Sequence, residues 1–367
     1  MKRKRIFFVA SEFASGMIPF AAKIINTLAT DDRFEIYALC ICSGRQTYRG
    51  LIDSEAHPFF IDYPTAKWKK LVFKIWPFPI IKQLEHMQKF IKPDAVHYLT
   101  GDFTLANYIC FHQSARICYT VHDMHPHEVR LSSFMERMLF RLITRGYRLL
   151  RVVADNLTTS SQIQLQELKK LYPLKNIEFT PFPSLVTPEI ERGGKYVREL
   201  TNCNSYILFF GSVQEYKGVQ LLIDAYNGSN LPNAIKLVIA GKGIELKHIN
   251  KNILRLNRFI EDDELRSLFG GAEAVVYPYL SATMSGVLSI AYYFKKRVIL
   301  SDIPFFRENA TDACLFFRAG DVNDLTQKLN RIILDAPSPV TDDAYKRLYS
   351  KKALADAYFD FYNKIKR

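Results

Sequence analysis

The sequence predicts a two-domain α/β protein in which each domain is a doubly wound parallel sheet covered on both faces by helices. Three observations carry this prediction. Short apolar runs recur along the chain, and each is followed by a helix-like stretch, the alternation that parallel βαβ units require. The 367 residues suit two domains of roughly 150 residues, each able to bury its own core. Midway, the proline- and glycine-rich stretch TPFPSLVTPEIERGGKY breaks any regular pattern.

Taken in order, strands are expected in the first half at 5–10, 35–42, 95–99, 116–121, at either 151–154 or 157–159, and at 177–180. Helices are expected between them at 21–29, 80–91, 104–111, 134–146 and 162–171. In the second half the strands are 205–210, 234–240, 254–256, 273–277 and 297–300, with helices at 219–227, 263–269, 287–294 and 322–334. The chain thus divides into a first domain at 1–183, a linker at 184–204, a second domain at 205–345 and a C-terminal helix at 346–367, expected to pack back on the first domain. Doubly wound sheets bind ligands outside the carboxyl ends of their strands, so a cleft between two such domains is the expected active site.

Composition narrows the function classes. Hydrophobic residues make up 48% and charged residues 24%, which excludes disorder, collagen-like repeats and a disulfide scaffold. No apolar run reaches 18 residues, so no spanning helix is expected. The start, MKRKRIFFVASEFASG, mimics a signal peptide, but its apolar stretch from Ile6 to Ala10 falls short of the roughly 7–15 residues such a segment needs. A buried first strand explains it better. Cys40, Cys42, Cys110, Cys118, Cys203 and Cys314 show neither CxxC nor paired Cys/His zinc spacing, and are read as reduced and structural, in the cytoplasm. The formal charge of +13 suggests an anionic partner: phosphate, nucleic acid or a membrane surface.

The second half carries the phosphate-binding features. In YILFFGSVQEYKGVQLLIDAY a buried strand runs into a turn at Gly211 and an amphipathic helix, and Lys217 stands where that helix begins. KLVIAGKG is a strand ending in Gly241 and Gly243, expected to permit close backbone approach to a ligand. Ser281 to Gly286 are small or polar and lead into a helix near Val287, whose free N–H groups suit an anion. Small residues cap helices in every α/β fold, so each piece alone has that plain reading too.

Their order and spacing resemble the family 4 (group 1) glycosyltransferases, which have the GT-B fold of two Rossmann-like domains facing a central cleft. The likeness is strongest from 206 to 308, and SATMSGV at 281–287 resembles the subgroup motif SAT-Q-SGV. In the first half it rests on TVHDMHPH at 120–127 and the strand-loop-helix with Gly16. The resemblance implies a nucleotide-sugar donor whose diphosphate Lys217 neutralises. Its distal phosphate would rest on the backbone of Ser285, Gly286 and Val287, next to Thr283. Arg258, Ile260 and Glu261, with the loop at Gly241 and Gly243, would line the base, while Gly211, Gln214 and Gly16 complete the donor set. It implies sugar transfer with retention, with no cofactor and no metal required. Three departures stand out. Gln214 takes the place of a common arginine, Ala282 and Ile290 replace a glutamate pair whose second member binds the ribose, and Phe305 and Phe306 replace two glycines.

Seven of the eight histidines lie in the first half, three of them at 122, 125 and 127. This cluster reads as a metal site, as a plain turn or as a sugar-facing loop. By resemblance His122 would hydrogen-bond the donor sugar near the reacting carbon, with Asp123 orienting its ring. Both tryptophans lie in AKWKKLVFKIWPFPIIK, where Trp68, Lys69, Lys70 and Trp76 are candidates for contact with an anionic membrane surface, against the reading of a helix packed on its own domain. Residues 1–185 carry 25 basic and 16 acidic side chains, which suits a lipid-linked acceptor on that side.

The expected protein is therefore a cytoplasmic glycosyltransferase, peripheral to the inner face of the cell membrane, that acts on a glycan or lipid-linked acceptor in surface-polysaccharide biosynthesis. A sugar-nucleotide epimerase of the same fold and a degenerate sugar-nucleotide binder are the alternatives. Nucleic acid is not an expected partner, because the lysines form no stripe interleaved with stacking aromatics.

Overall fold

The computed structural model describes residues 2–13, 17–42, 46–62, 64, 66, 69, 72, 78–100, 116–124, 134–201, 203, 205–282, 285–311, 314–334 and 342–365. The chain forms two compact units: residues 1–183 together with 351–367, and residues 184–350.

Unit 1 runs β1 (Lys4–Phe13), α1 (Ile18–Ala29), β2 (Phe34–Cys42), β3 (Pro58–Asp62), α2 (Phe78–Ile91), β4 (Ala95–Tyr98), β5 (Ile117–Thr120), α3 (Phe134–Val153), β6 (Asn156–Thr159), α4 (Gln162–Leu171) and β7 (Asn176–Phe179). Its sheet is parallel in the order β3-β2-β1-β4-β5-β6-β7. Ile6 to Ala10 are fully buried at its centre, as an apolar strand flanked by two others requires. The order reverses between β1 and β4, which opens a crevice at their carboxyl ends.

Unit 2 runs α5 (Pro188–Arg192), β8 (Ser205–Phe210), α6 (Val219–Asn227), β9 (Ile235–Ala240), β10 (Ile253–Leu256), α7 (Leu265–Gly270), β11 (Ala272–Tyr277), α8 (Val287–Tyr293), β12 (Arg297–Ser301), α9 (Pro304–Asn309), β13 (Cys314–Phe317), α10 (Val322–Leu334) and α11 (Asp342–Leu348). The parallel order is β10-β9-β8-β11-β12-β13, so this sheet reverses between β8 and β11. The last helix, α12 (Lys351–Asn363), belongs to unit 1. It buries Tyr358, Phe361 and Tyr362, and the Tyr362 hydroxyl is hydrogen-bonded to His97 Nδ1 at 2.6 Å.

The two expected Rossmann-like domains are thus present, with local differences. Residues 184–204 are no free linker: Val186, Ile190, Val197 and Leu200 join the core of unit 2, and the Leu185 amide donates to Ser289 Oγ at 3.0 Å. Of the two strand readings near 155, the second is the one formed. α3 continues to Val153 because Leu150 is buried and Arg151 donates to the carbonyls of Asp123 and Met124. The edge strands β3 and β13 escape sequence reading, one opening on a proline and the other only four residues long. The expected helix at 104–111 lies outside the described residues.

Candidate functional site

In unit 2 the chain leaves β8 at Gly211, and Lys217 returns its side chain beneath that turn. Gly218 follows with φ +62°, and a side chain there would drive its Cβ into the Pro278 carbonyl oxygen, so the lysine's loop closes tightly on the end of β11. The Lys217 side chain is 8% exposed, and burial alone lowers its pKa to about 8. Nζ donates to Ser212 Oγ at 3.0 Å and stands 5.4 Å from the Tyr279 ring centroid. Among the described residues a hydroxyl and the rings of Tyr279 and, at 5.9 Å, Tyr216 therefore meet this ammonium, with no carboxylate partner. A Cβ built on Gly211 would lie 3.4 Å from Nζ and 3.9 Å from Val287 Cγ1, so the glycine leaves a gap bounded by the lysine and the start of α8. Ser285 and Gly286 lead into that start, and Thr283 lies outside the described residues.

Aromatic packing explains one departure from the family pattern. Phe306 is fully buried on α9, and its ring centroid lies 5.3 Å from that of Tyr279. The phenylalanine that replaces a family glycine thereby backs the wall against which Lys217 rests. The Tyr279 hydroxyl, buried near Ser285, has no partner in good hydrogen-bond geometry among the described residues. It is a polar group of this crevice that the sequence did not single out.

The loops expected to line a base are built differently from expectation. Gly241 and Gly243 press against the protein's own backbone, since a Cβ at either would collide with the carbonyl of Gly211 or Val213. Their small size serves loop packing. Arg258 is committed to an internal network: it makes a bidentate pair with Glu264 at 2.8 Å and 2.8 Å and a third bond to Glu199 at 3.1 Å, holding both carboxyls below their usual range. Glu261 forms a capping box with Glu264, and the Ile260 side chain is in the core. The side chains of these three are thus spent on structure. Gln214 is exposed, and Ile290, at the second glutamate position, is buried in the core, so no carboxylate stands there for a ribose.

In unit 1, His122 follows β5 and reaches across to the end of β4. A carbonyl only accepts, so the 2.6 Å contact fixes an Nε2–H donating to Leu99 and leaves Nδ1 as the lone-pair nitrogen of the neutral ring. Phe20 packs edge-on against the imidazole, with ring centroids 4.6 Å apart. Burial pulls the His122 pKa down, against the opposing effects of the Leu99 carbonyl and the charge of Asp123. The ring is therefore oriented by Leu99, and Asp123 acts on it only through charge. Gln164, almost fully buried on α4, clamps this loop: its Nε2 donates to the His122 carbonyl at 2.8 Å and its Oε1 accepts from the Met124 amide at 3.1 Å. Sequence reading missed Gln164 because a glutamine in a helix carries no signal until the loop it meets is known.

Several expected residues fall elsewhere. Gly16, Trp68, Lys70, Trp76, His125 and His127 lie outside the described residues, and Lys69 is exposed. Among the described residues no three His, Cys, Asp or Glu side chains converge as a metal-ligand group. No described helix is long and apolar enough to cross a membrane.

Residues 204–335 match the family described as glycosyl transferases group 1. No curated protein sequence matches the chain. Among solved structures it is similar to sucrose-phosphate synthase of Thermosynechococcus elongatus, with a TM-score of 0.70 and 11% identity over 99% of each chain. It is also similar to HepE of Anabaena in complex with UDP, with a TM-score of 0.67 and 14% identity over 97% of this chain and 98% of that one. WaaG, a glycosyltransferase involved in lipopolysaccharide biosynthesis, gives a TM-score of 0.63 and 13% identity over 98% and 99%. At such identities these likenesses speak for the fold. The chain thus has the GT-B fold, and its second unit matches the group 1 glycosyltransferases.

Proposed function

We propose that this protein transfers a sugar from a nucleoside-diphosphate donor to a saccharide or lipid-linked acceptor in the synthesis of a cell-surface polysaccharide. The observation that carries the reading is the Lys217 ammonium, buried beside an open glycine turn with a hydroxyl and two aromatic rings, and no carboxylate, against it among the described residues. Such a charge is costly to bury without an anion, and a diphosphate supplies one. The family match over the same residues and the UDP bound to the similar Anabaena protein support a nucleotide donor.

The chemistry follows from where charge develops. The bond from the sugar's anomeric carbon to the diphosphate breaks, its electron pair leaves with the phosphate, and Lys217 stabilises that growing negative charge. The acceptor hydroxyl forms the new bond on the same face and gives its proton to the departing phosphate oxygen, which retains configuration. His122, neutral and offering Nδ1 as an acceptor, holds a hydroxyl of the donor sugar near the reacting carbon. The main-chain amides of Ser285, Gly286 and Val287 assist the lysine. The reading calls for neither cofactor nor metal. It places the enzyme in the cytoplasm, peripheral to an anionic membrane that presents the acceptor, supported by the basic excess of the first half.

A second reading, a sugar-nucleotide binder that assists a partner enzyme, is favoured by the exposed Gln214 where an arginine is common. Turnover separates the two. UDP or GDP is expected to raise the melting temperature, and Lys217→Ala to abolish the rise. A flat response to every nucleoside diphosphate would overturn the donor site. Hydrolysis or transfer on a nucleotide-sugar panel then establishes the enzyme, whereas binding with no turnover favours the second reading.

A further inference from the structure

α3 carries the sequence FMERMLFRLITRGYRLLRVV. Its arginines at 137, 141, 145 and 148 are spaced by four, four and three residues, so at 3.6 residues per turn they fall within an arc of about 80° and along about 16 Å of helix. All four are exposed. None of their guanidinium groups has an ion pair or hydrogen bond among the described residues. Arg151, on the edge of this arc, behaves differently: it turns to the carbonyls of Asp123 and Met124 and holds the site loop. Over residues 146–153 the opposite face, with Gly146 and Leu150 buried and Leu149 and Val153 packed on the core, is committed to unit 1.

Like charges one turn apart repel, and helices on ordinary protein surfaces interleave acids to relieve this. Among the described residues no acid pairs with this row, and a plane of phosphates would relieve the repulsion. We propose that the arginine row of α3 docks the protein on an anionic lipid surface, each guanidinium taking a headgroup phosphate. Guanidinium groups pair phosphate oxygens in fork geometry, which favours phosphate-bearing lipids over a diffuse negative field. Leu149, Leu150 and Val153 are spent on the core, so the arginine row itself attaches electrostatically, on the surface. Nucleic acid fits less well, because the arc offers Thr144 and Val152 beside the arginines and none of the amide side chains that read base edges. The inference rests on the membrane-peripheral reading above and moves the contact from the tryptophan segment to α3.

The test is sedimentation of the full chain with phosphatidylcholine vesicles with and without phosphatidylglycerol. Binding only to the anionic vesicles, released at high salt, is expected. The exposed pair Arg141→Gln with Arg145→Gln should weaken it about 30-fold, at about fivefold per charge. Lys169→Gln with Lys170→Gln, which removes the same charge from α4, should change it far less. Equal loss in both pairs, full retention in the arginine pair, no vesicle binding, or tighter binding to duplex DNA lost in that pair would each overturn the proposal. So would loss confined to Trp68→Ser with Trp76→Ser. The nucleotide-induced melting shift is read separately, so either reading can fail without the other.

Discussion

The two crevices handle buried ionisable groups in opposite ways. At the end of β8, the Lys217 ammonium has one hydroxyl and two aromatic rings around it and a pKa lowered to about 8. On β4, His97 is also fully buried, but both its nitrogens are used, by Tyr362 and by Thr120 at 2.9 Å, and burial lowers its pKa to about 3. His122 stands between these cases, with one nitrogen fixed by Leu99 and the other left to accept. A buried group satisfied by neutral partners holds the fold together. One left uncompensated waits for a ligand of opposite charge.

The largest expected effect tests the lysine. Below pH 8 the folded and unfolded states both carry the Lys217 charge, and the folded state bears its full desolvation cost of about 3 kcal/mol. That cost disappears as pH rises from 8 to the unfolded value near 10.5, so unit 2 without ligand gains stability across this window. Lys217→Met should therefore stabilise the ligand-free protein by about 3 kcal/mol at neutral pH, read by thermal or denaturant unfolding. It should also abolish the response to UDP or GDP. A destabilised variant would mean that the lysine supports the fold, and the contrast with His97 would collapse.

The next effect concerns the site histidine. His122→Ala is expected to lower kcat about 100-fold with little change in nucleotide affinity. Because its pKa is depressed, its lone pair stays available below pH 6.5, and activity should fall only at lower pH. Turnover unchanged in the variant would remove the histidine from the chemistry.

The smallest effect belongs to His97. Its folded pKa lies below its unfolded value, so unit 1 is fully stable above about pH 6.5 and loses stability as pH falls toward 3. Between pH 6.5 and 5 the loss should be about 2 kcal/mol, and His97→Gln should flatten that slope. An unfolding series against pH that shows the same slope in both proteins would refute it.

Much of this architecture could be read from residue order. The helices at 162–171, 219–227 and 322–334 coincide with α4, α6 and α10, because each has a clear apolar period between polar or glycine stops. The strand at 205–210 coincides with β8, a run apolar enough to be buried on both faces. Harder to read were segments whose state depends on what they pack against. Residues 184–204 look like a linker until Val186 and Ile190 find the core of unit 2, and RVVA at 151–154 looks like a strand until Leu150 and Arg151 keep it in a helix.

The sequence by itself determined two parallel sheets, the turn at Gly211, the lysine at 217 and the histidine at 122, since apolar periodicity, glycine and short spacing are local properties. Which of the charged residues near the crevice are committed to internal partners follows from packing between distant parts of the chain. Arg258 meets Glu199 across 59 residues and is consumed by that network, whereas Lys217 is buried with no carboxylate beside it among the described residues. Phe306 acquires its role only where it meets Tyr279. Burial and pairing depend on residues distant in the chain, and for a charged side chain they decide whether it supports the fold or waits for a ligand.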